Sequence, residues 1–427
     1  MTVQLPTSVN EWLYFLEHRH ADVMQLGLER VSRVAKALNL LETGSTVITV
    51  AGTNGKGSTV AALESIYTQA GYKVGAYTSP HLIYFNERIR INSVPVDDER
   101  LCEAFSYIEH HRGDTDLTYF EVATLASLWI FKQLRLDVVL LEVGLGGRLD
   151  ATNIVDADLA VITTIDYDHQ SVLGDTIEAI GYEKAGILRP NQRFIYADIN
   201  PPHCILERSL ELNTSFHCLG THYDFHVTDD TLVIKLYDGS NISLAMPSIH
   251  PQSAAASVVA SKLIEPNLPL TTDHIISGIN LARNLGRTTL IKTDKIILLD
   301  VAHNVQAARY LSNVVKQLKS NQQVHCVFAA LNDKDVCGLI DTMNHLVDIW
   351  YPALLDTSRA ATAKDMEQAF AKAINLGIIC YNCPFEAYQS ALKRAVKGDI
   401  IVVFGSFFTV SSVMTHAKLP IQEEVIV

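Results

Sequence analysis

A glycine-rich turn between an apolar strand and a helix constrains this chain more than any other feature. The segment from Thr46 to Ser58 reads TVITVAGTNGKGS. Its apolar first half predicts a buried β-strand, and we expect a helix to begin at Ser58. Three glycines, Gly52, Gly55 and Gly57, allow a tight turn and a close approach of the backbone to a ligand. Lys56 adds a cation where the first N–H groups of the helix point outward, so the segment predicts a phosphate-binding loop rather than an ordinary strand-to-helix turn.

This loop departs in two places from the standard P-loop pattern G-x-x-x-x-G-K-[ST]. Val50 stands where the first glycine belongs, and Gly57 separates Lys56 from the hydroxyl residue Ser58. The glycines and the lysine still indicate phosphate binding, but the spacing is typical of a different class of loop.

Length and charge exclude several classes of protein. The chain has 427 residues, so two or three domains are expected. A formal net charge of −13 argues against nucleic acid or an anionic membrane surface as a partner. No signal peptide and no apolar stretch of about 20 residues is visible, so neither export nor a membrane span is expected.

The seven cysteines are an odd, unpatterned set, which favours reduced thiols and a cytoplasmic location. Cys380 and Cys383 form a lone C-x-x-C, which we interpret as structural rather than as a zinc site.

Two regions repeat the order strand, helix, strand, which predicts an α/β protein. We expect a P-loop-containing, mostly parallel sheet flanked by helices in residues 1–285, and a smaller Rossmann-like α/β domain in residues 286–427. Within the first domain, residues 194–245 alternate and are interpreted as a small antiparallel patch. The predicted strands are 73–77, 137–143, 159–165, 295–300, 325–330 and 400–404, and the predicted helices are 58–70, 118–134, 177–187, 253–264, 273–283, 304–318, 362–376 and 385–396.

Polar side chains stand at the carboxyl ends of three further predicted strands. They are Ser79, Glu142 and the pair Asp168-His169. Ligands of an open parallel sheet bind at this edge, and a hydroxyl and a carboxylate beside phosphates favour Mg²⁺. Each residue also has a simpler interpretation, since His169 by itself fits a satisfied core histidine and Glu142 by itself fits an ion pair with Arg148. The metal hypothesis therefore depends on the set.

Lys184 lies near the end of a predicted helix. A lysine there is usually solvated or interacts with the helix dipole. Beside a metal it fits only as a phosphate contact or in a modified, anionic form.

Nine stretches of the chain resemble the bifunctional dihydrofolate synthase/folylpolyglutamate synthases, a family related to the Mur ligases. The resemblance covers nearly the whole chain, and its most specific block is 136–158. The stretches are LGLERV (26–31), TVAGTNGKGST (49–59), GYKVGAYTSPHL (71–82), ERIRI (87–91), LTYFEVATLASLW (117–129), LDVVLLEVGLGGRLDATNIVDAD (136–158), EKAGI (183–187), LDVAHN (299–304) and FGSF (404–407).

The resemblance implies ligands for the residues of the first domain. The phosphate loop, with Lys56 also acting in catalysis, is implied to hold ATP through Gly52, Thr53, Asn54, Gly55, Lys56, Gly57 and Ser58. Ser79 and Glu142 are implied to bind one Mg²⁺, and Glu142, His169 and a carbamylated Lys184 a second. The pterin contacts are implied to be Leu26, Thr118, Phe120, Asp150 and Ala151.

For the second domain the resemblance implies that Arg287, Asp300 and His303 contact ATP and that Ser406 helps to bind glutamate. The sequence departs from the family at the junction, where Leu285 replaces a proline and Thr288 an aromatic residue, and at Ser253, where the family has asparagine. These changes bear on nucleotide packing rather than on the chemistry.

The implied reaction is the ATP-dependent addition of L-glutamate to dihydropteroate and to folates, through an acyl phosphate. The implied partners are small molecules only, and a monomer is expected. Three alternatives stay open. A cell-wall ligase of the Mur class predicts a further N-terminal domain, for which the stretch before Thr46 is short. A ligase that only extends folate polyglutamates is less consistent with Tyr119-Phe120-Glu121. A non-enzymatic nucleotide switch would not need Glu142.

Overall fold

The structure, a computed structural model, describes residues 5–19, 25–228 and 230–419. These residues form two compact units. The first comprises the residues up to Ile165 together with Gln170–Arg283, and the second comprises Asp166–His169 together with the residues from Asn284 onward. The division falls two residues before the predicted junction, and it differs from the prediction in assigning Asp166–His169 to the second unit. Among the described helices, none combines the length and the hydrophobicity that crossing a bilayer requires.

The first unit alternates helices with strands, as its sequence pattern predicts. Its helices are α1 (Val9–Arg19), α2 (Glu29–Ala37), α3 (Lys56–Gln69), α4 (Asp98–His111), α5 (Tyr119–Leu134), α6 (Gln170–Leu173), α7 (Ile177–Ala185), α8 (His203–Glu211), α9 (Pro251–Ile264) and α10 (Thr272–Leu281), with short 3₁₀ turns at Phe85–Arg88 and Ala151–Ile154. Its strands are β1 (Thr46–Ala51), β2 (Val74–Tyr77), β3 (Ile89–Ile91), β4 (Val94–Pro95), β5 (Val138–Glu142), β6 (Leu159–Ile162), β7 (Arg193–Tyr196), β8 (Ser215–Cys218), β9 (Asp224–Val227), β10 (Thr231–Lys235) and β11 (Asn241–Ala245).

The main sheet of this unit places the glycine-rich loop at the middle of one edge. Its order is β4-β3-β2-β5-β1-β6-β7-β8. The strands β2, β5, β1, β6, β7 and β8 are parallel, β3 is antiparallel to β2, and β4 is antiparallel to β3. Ile48 and Val50 pack on the side of α3 and α9, whereas Val47 packs on the side of α5. Both faces of β1 are therefore covered by helices, which explains why its sequence is apolar except for Thr46 and Thr49.

The prediction of an antiparallel patch over residues 194–245 was wrong in its first half. Strands β7 and β8 continue the parallel sheet, and α8 connects them. The antiparallel sheet is confined to β9, β10 and β11, with a turn at Gly239, where φ is +84°. The segment was misread because β7 and β8 have four residues each, and their pairing depends on β6, which is distant in the sequence.

The second unit is a smaller α/β fold. Its strands are β12 (Thr289–Lys292), β13 (Ile296–Asp300), β14 (Val324–Phe328), β15 (Ile349–Pro352) and β16 (Ile400–Phe404), and its helices are α11 (Val305–Leu318), α12 (Val336–Asn344), α13 (Ala363–Ile374), α14 (Pro384–Arg394) and α15 (Phe407–Ala417). The sheet order is β12-β13-β16-β14-β15, and β12 alone is antiparallel among these strands. The predicted α/β fold class is thus confirmed.

Several elements had no sequence prediction, among them α4, α6, α8, α12, α15, β12 and β15. Tyr381 forms a single bridge with Ala353. All seven cysteines are free thiols, and Cys380 and Cys383 are among them.

Candidate active site

The phosphate loop joins β1 to α3 through two glycines with left-handed or related backbone. Gly52 has φ +149° and Gly55, immediately before the helix, has φ +87°. A Cβ atom at Gly52 would lie 1.8 Å from Thr163 Oγ1, so no other residue fits there without rearrangement. The helix begins at Lys56, two residues before the predicted start, because the turn at Gly55 is already complete.

Two threonines after β6 hold the loop in place, and the sequence analysis gave them no role. Thr163 Oγ1 donates to Asn54 O at 2.6 Å. Asn54 N donates to Thr164 Oγ1 at 3.0 Å, and Thr53 N donates to Thr164 O at 2.8 Å. Their signal was available, since both are hydroxyl residues at a strand end, like Ser79.

The side chain of Lys56 lies over this loop. Its Nζ donates to Gly52 O at 2.9 Å and to Thr53 O at 3.2 Å. On the other side of the turn, Ser253 Oγ donates to Gly55 O at 3.4 Å. The loop therefore presents backbone N–H groups, a helix N-terminus and an ammonium group together, which is the chemistry of a phosphate site.

Glu142 and Ser79 lie beside the phosphate loop. Glu142 ends β5, pairs in register with Val50 of β1, and is 5 % exposed. Ser79 follows β2, the strand on the other side of β5, and its backbone N lies 3.4 Å from Glu142 Oε2. A buried carboxylate and a hydroxyl next to a phosphate loop are oxygen donors of the kind that Mg²⁺ takes, so these residues fit the predicted metal.

Arg148 pairs with Glu183 rather than with Glu142. The Arg148 Nη2 to Glu183 Oε1 distance is 2.8 Å, so the simpler interpretation of Glu142 as a partner of Arg148 is wrong. Lys184 follows Glu183 near the end of α7 and is 3 % exposed, not solvated. A Cβ at Gly147 would come within 3.0 Å of Lys184 O, so the glycines after β5 bring α7 close to that strand end.

Asp150 is buried and organises the loop that follows Glu142. Its Oδ2 accepts from Leu145 N at 2.9 Å, and its Oδ1 accepts from Thr152 N at 2.9 Å and from Thr152 Oγ1 at 2.7 Å. Burial raises the pKa of Asp150, while these donors favour its ionised form. Ala151, also buried, begins the 3₁₀ turn that Asp150 caps.

Two of the remaining predicted pterin residues, Thr118 and Phe120, lie at the start of α5. Thr118 caps this helix through a capping box with Glu121. The ring of Phe120 packs against Gly144, where a Cβ would lie 2.6 Å from Phe120 Cζ. Leu26 is 39 % exposed and lies in the segment before α2.

In the second unit, Asp300 holds the segments that carry Arg287 and His303. Its Oδ2 accepts from Thr288 N at 2.7 Å and its Oδ1 accepts from Ala302 N at 2.7 Å. Burial raises the pKa of Asp300, and the nearby Arg287 charge opposes that rise. Thr288 has φ +46°, an uncommon conformation for a β-branched residue, at the position where the sequence departs from its family.

His169 also belongs to the second unit, together with an ionic cluster that the sequence did not predict. Asp168 lies 3.3 Å from His303 Nε2, accepts from Asn304 Nδ2 at 3.1 Å and pairs with Lys334 Nζ at 2.5 Å. Burial opposes ionisation of Asp168, but His303 and Lys334 outweigh it and hold its pKa well below the usual range. His169 has φ +50°. The sequence analysis did not identify Lys334, although Lys334 follows β14, a strand of the sheet in the second unit.

Ser406 and Phe407 occupy the end of β16. Ser406 Oγ accepts from Thr409 N at 3.0 Å and so caps α15. The ring centroid of Phe407 lies 5.3 Å from Arg287 Cζ and 6.2 Å from the His303 ring centroid. Phe407 therefore packs against two predicted ATP contacts, a role that the FGSF stretch alone did not reveal.

The predicted site residues thus form two groups, each inside its own unit. The first contains the loop, Ser79, Glu142, Lys184 and the pterin set, and the second contains His169, Arg287, Asp300, His303 and Ser406. Within the part of the chain that is described, no group of three or more His, Cys, Asp and Glu side chains is arranged to hold a metal. Only Glu142 and His169 among the predicted metal ligands are residues of those four types. The metal that they are predicted to share stays a prediction.

Comparison with known proteins identifies the family. Residues 50–201 match the Mur ligase middle domain, and residues 286–407 match the Mur ligase glutamate ligase domain. The dihydrofolate synthase/folylpolyglutamate synthase of Escherichia coli (strain K12) is 41 % identical over 413 residues, which cover 97 % of this chain and 96 % of that protein.

Two solved structures are similar over almost their whole length. E. coli FolC in complex with DHPP and ADP superposes with a TM-score of 0.93 at 40 % identity, covering 98 % of this chain and 99 % of the other. A bifunctional folylpolyglutamate synthase/dihydrofolate synthase with Mn, AMPPNP and L-glutamate bound has a TM-score of 0.91 at 38 % identity, covering 98 % and 100 %. The chain therefore belongs to the dihydrofolate synthase/folylpolyglutamate synthase family of Mur-type ligases, and it is an ATP-dependent ligase of folate metabolism.

Proposed function

We propose that this protein joins L-glutamate to 7,8-dihydropteroate, forming dihydrofolate, and also extends tetrahydrofolate polyglutamates. The observation that carries the proposal is the position of Glu142, a buried carboxylate one strand away from the phosphate loop and beside Ser79. Together with Ser79, Glu142 supplies oxygen ligands of the kind that Mg²⁺ takes beside the phosphates of ATP. The relatives with DHPP, ADP, AMPPNP and L-glutamate bound support the substrate classes.

The reaction proceeds in two steps. A carboxylate oxygen of the acid substrate attacks the γ-phosphorus of ATP, the bond from that phosphorus to the β,γ-bridging oxygen breaks, and ADP leaves. The amine of L-glutamate then attacks the acyl carbon, the bond to phosphate breaks, and the amine gives up a proton as the amide forms. Lys56 and the N–H groups of the loop offset the charge on the transferring phosphoryl group.

For the metal we propose that Ser79 and Glu142 hold one Mg²⁺ and that Glu142, His169 and a carbamylated Lys184 hold a second. The ions would supply Lewis-acid stabilisation of the phosphoryl oxygens. The position of Lys184 supports this assignment, because Lys184 is 3 % exposed and the glycines after β5 bring the end of α7 close to the strand end that carries Glu142.

For the substrates we propose that Leu26, Thr118, Phe120, Asp150 and Ala151 form the pterin site. The domain roles follow the same division, with ATP and pterin binding in residues 1–285 and a glutamate-ligase domain in residues 286–427. In that domain we assign Arg287, Asp300 and His303 to ATP and Ser406 to glutamate. Asp300 would act by holding the other two, since both its oxygens accept backbone N–H groups.

We further propose that the protein works as a monomer in the cytoplasm with small-molecule partners and no nucleic acid. The net charge of −13 and the seven free thiols support this assignment.

Release of ADP tests the proposed function. Full-length protein with Mg²⁺ and ATP should release ADP only when L-glutamate and an acceptor are both present. Dihydropteroate and tetrahydrofolate should each serve as the acceptor. Activity with tetrahydrofolate but not with dihydropteroate would indicate a ligase that only extends polyglutamates. Activity with a nucleotide-sugar peptide would indicate a cell-wall ligase, and no acceptor-dependent release at all would contradict the enzyme.

Substitution of Asp150 should impair the use of dihydropteroate. Asp150→Asn replaces one acceptor by an amide and leaves Leu145 N or Thr152 N without its bond, so the KM for dihydropteroate should rise about tenfold or more. The KM for ATP should change little. Thr118→Val, which removes the cap of α5, should act in the same direction.

Asp156→Asn serves as the control, because Asp156 is an exposed carboxylate in the same stretch, paired with Arg189 at the surface. Its KM values should match those of the wild type. Unchanged dihydropteroate kinetics in both Asp150→Asn and Thr118→Val would remove these residues from the pterin site.

A further inference from the structure

The stretch ERIRI (87–91) contains three charged side chains, and two of them have charged or backbone partners that explain their presence. Glu87 accepts the backbone N–H groups of Leu82, Ile83 and Tyr84. Arg90 makes a two-nitrogen contact with Glu64 Oε2, at 2.9 Å from Nε and 2.8 Å from Nη2. These two residues are therefore explained by the structure that they hold together, and Arg88 is left.

Arg88 is a nearly buried cation, 8 % exposed, whose charge is not neutralised by any carboxylate of the described residues. Its Nε donates to His81 Nδ1 at 2.9 Å, and its guanidinium carbon lies 5.3 Å from the Phe85 ring centroid and 5.5 Å from that of Tyr119. Buried charges are normally paired, and an arginine that stacks on aromatic rings is oriented by them.

The two terminal nitrogens of Arg88 are available to a ligand. No acceptor for them occurs among residues 5–19, 25–228 and 230–419, yet they are not sealed from solvent as the unpaired nitrogens of Arg19 are. The side chain is thus fixed through Nε and through its flat faces, while the end of its donor fork is open. Such a fork matches a carboxylate or a phosphate group.

The position of Arg88 selects between possible ligands. Its carbonyl accepts from Thr78 N at 2.8 Å, directly before Ser79, so it lies at the sheet edge that carries Glu142. Its aromatic neighbour Tyr119 stands between Thr118 and Phe120, the proposed pterin contacts. Arg88 is thus close both to the strand end before Ser79 and to the start of α5, and the acid of the proposed reaction has to reach both places.

We propose that Arg88 binds the carboxylate of the pteroate or folate substrate and presents it for phosphorylation. His81 acts as a positioning residue, because its Nδ1 lone pair fixes the rotation of the guanidinium. The inference rests on the proposed function, since it names the group that holds the acid in that reaction.

A binding cycle on the full-length protein with ADP and Mg²⁺ tests this inference. The probes are dihydropteroate and its neutral carboxamide analogue, and the variants are Arg88→Met and Arg88→Lys. Wild-type protein should bind the acid about tenfold to a hundredfold more tightly than the amide, as expected for a charged hydrogen-bonded pair. Arg88→Met should bring that ratio close to one with amide affinity unchanged, and Arg88→Lys should restore part of it.

Controls separate this role from a structural one. Arg33→Met, on the exposed face of α2, should keep the wild-type ratio. If Arg88→Met keeps the preference for the acid, or weakens the acid and the amide equally, the proposal is overturned. If the wild-type protein binds neither probe, the proposed function itself fails, and a thermal melt of each variant identifies any that do not fold.

Discussion

Glu142→Gln is expected to lower kcat about a thousandfold while the protein stays folded. The substitution keeps the shape of a buried side chain and removes the charge beside the phosphate loop. The lost interaction is one that strengthens as negative charge builds on the transferring phosphoryl group, so the effect should fall on kcat more than on the KM for dihydropteroate. The measurement is ADP release at saturating substrates over a titration of Mg²⁺.

Glu64→Gln is the matched control, because Glu64 is an equally buried glutamate of the same unit with a structural partner. Its carboxylate pairs with Arg90 at 2.8 Å. Glu64→Gln should lower Tm, because it leaves the charge of the partly buried Arg90 without its carboxylate partner. The kcat of the folded variant should equal that of the wild type. The two variants should therefore show opposite patterns of stability and activity. Near wild-type turnover by Glu142→Gln would refute the metal role of Glu142.

The fold could be predicted where the signal is local or continuous. Strands β1, β5 and β16 are largely apolar because helices cover both faces of their sheets, and such apolar stretches are visible in the sequence. The start of α5 was predicted because Thr118 and Glu121 are three residues apart and satisfy each other's N–H groups. Short strands such as β7 and β8 lack this advantage, since only their neighbours in the sheet stabilise them.

The sequence predicted the candidate site residues at the strand ends, but it did not predict the residues that hold them in place. Gly52, Ser79 and Glu142 follow from the rule that ligands bind at the carboxyl edge of a parallel sheet. The pairing of Asp168 with Lys334 spans 166 positions, and no local pattern reports such a contact. Arg88 lies within one of the stretches that resemble the family. The sequence does not show which of its charged neighbours have partners, so the two unbonded terminal nitrogens of Arg88 are visible only in the structure.

The buried aspartates show how the structure changes the meaning of a predicted residue. Asp150 and Asp300 were assigned to ligands, and in the structure each holds two backbone segments through its carboxylate. Their effect on substrate binding would be exerted through the loops that carry Leu145, Arg287 and His303. Sequence similarity indicates that such a residue matters, whereas the hydrogen bonds indicate how.

Lys184→Met is expected to abolish turnover almost as fully as Glu142→Gln, because it removes the proposed anionic oxygen ligand at its origin. Methionine keeps the apolar stem and fills the buried site at the end of α7, so the fold should be retained. Wild-type protein equilibrated with ¹³C-bicarbonate should show a carbamate carbon signal that Lys184→Met lacks. Activity of protein depleted of CO₂ should fall and should recover when bicarbonate is added.

Lys393→Met is the control for the chemistry, since Lys393 is an exposed lysine near the end of α14, in the other unit and outside the proposed site. It should leave both the ¹³C signal and the turnover unchanged. An unmodified amine at position 184 in fully active protein at saturating bicarbonate would rule out carbamylation. Lys184 would then have to act as a cation, and its effect should appear in the affinity for ATP rather than in a dependence on bicarbonate.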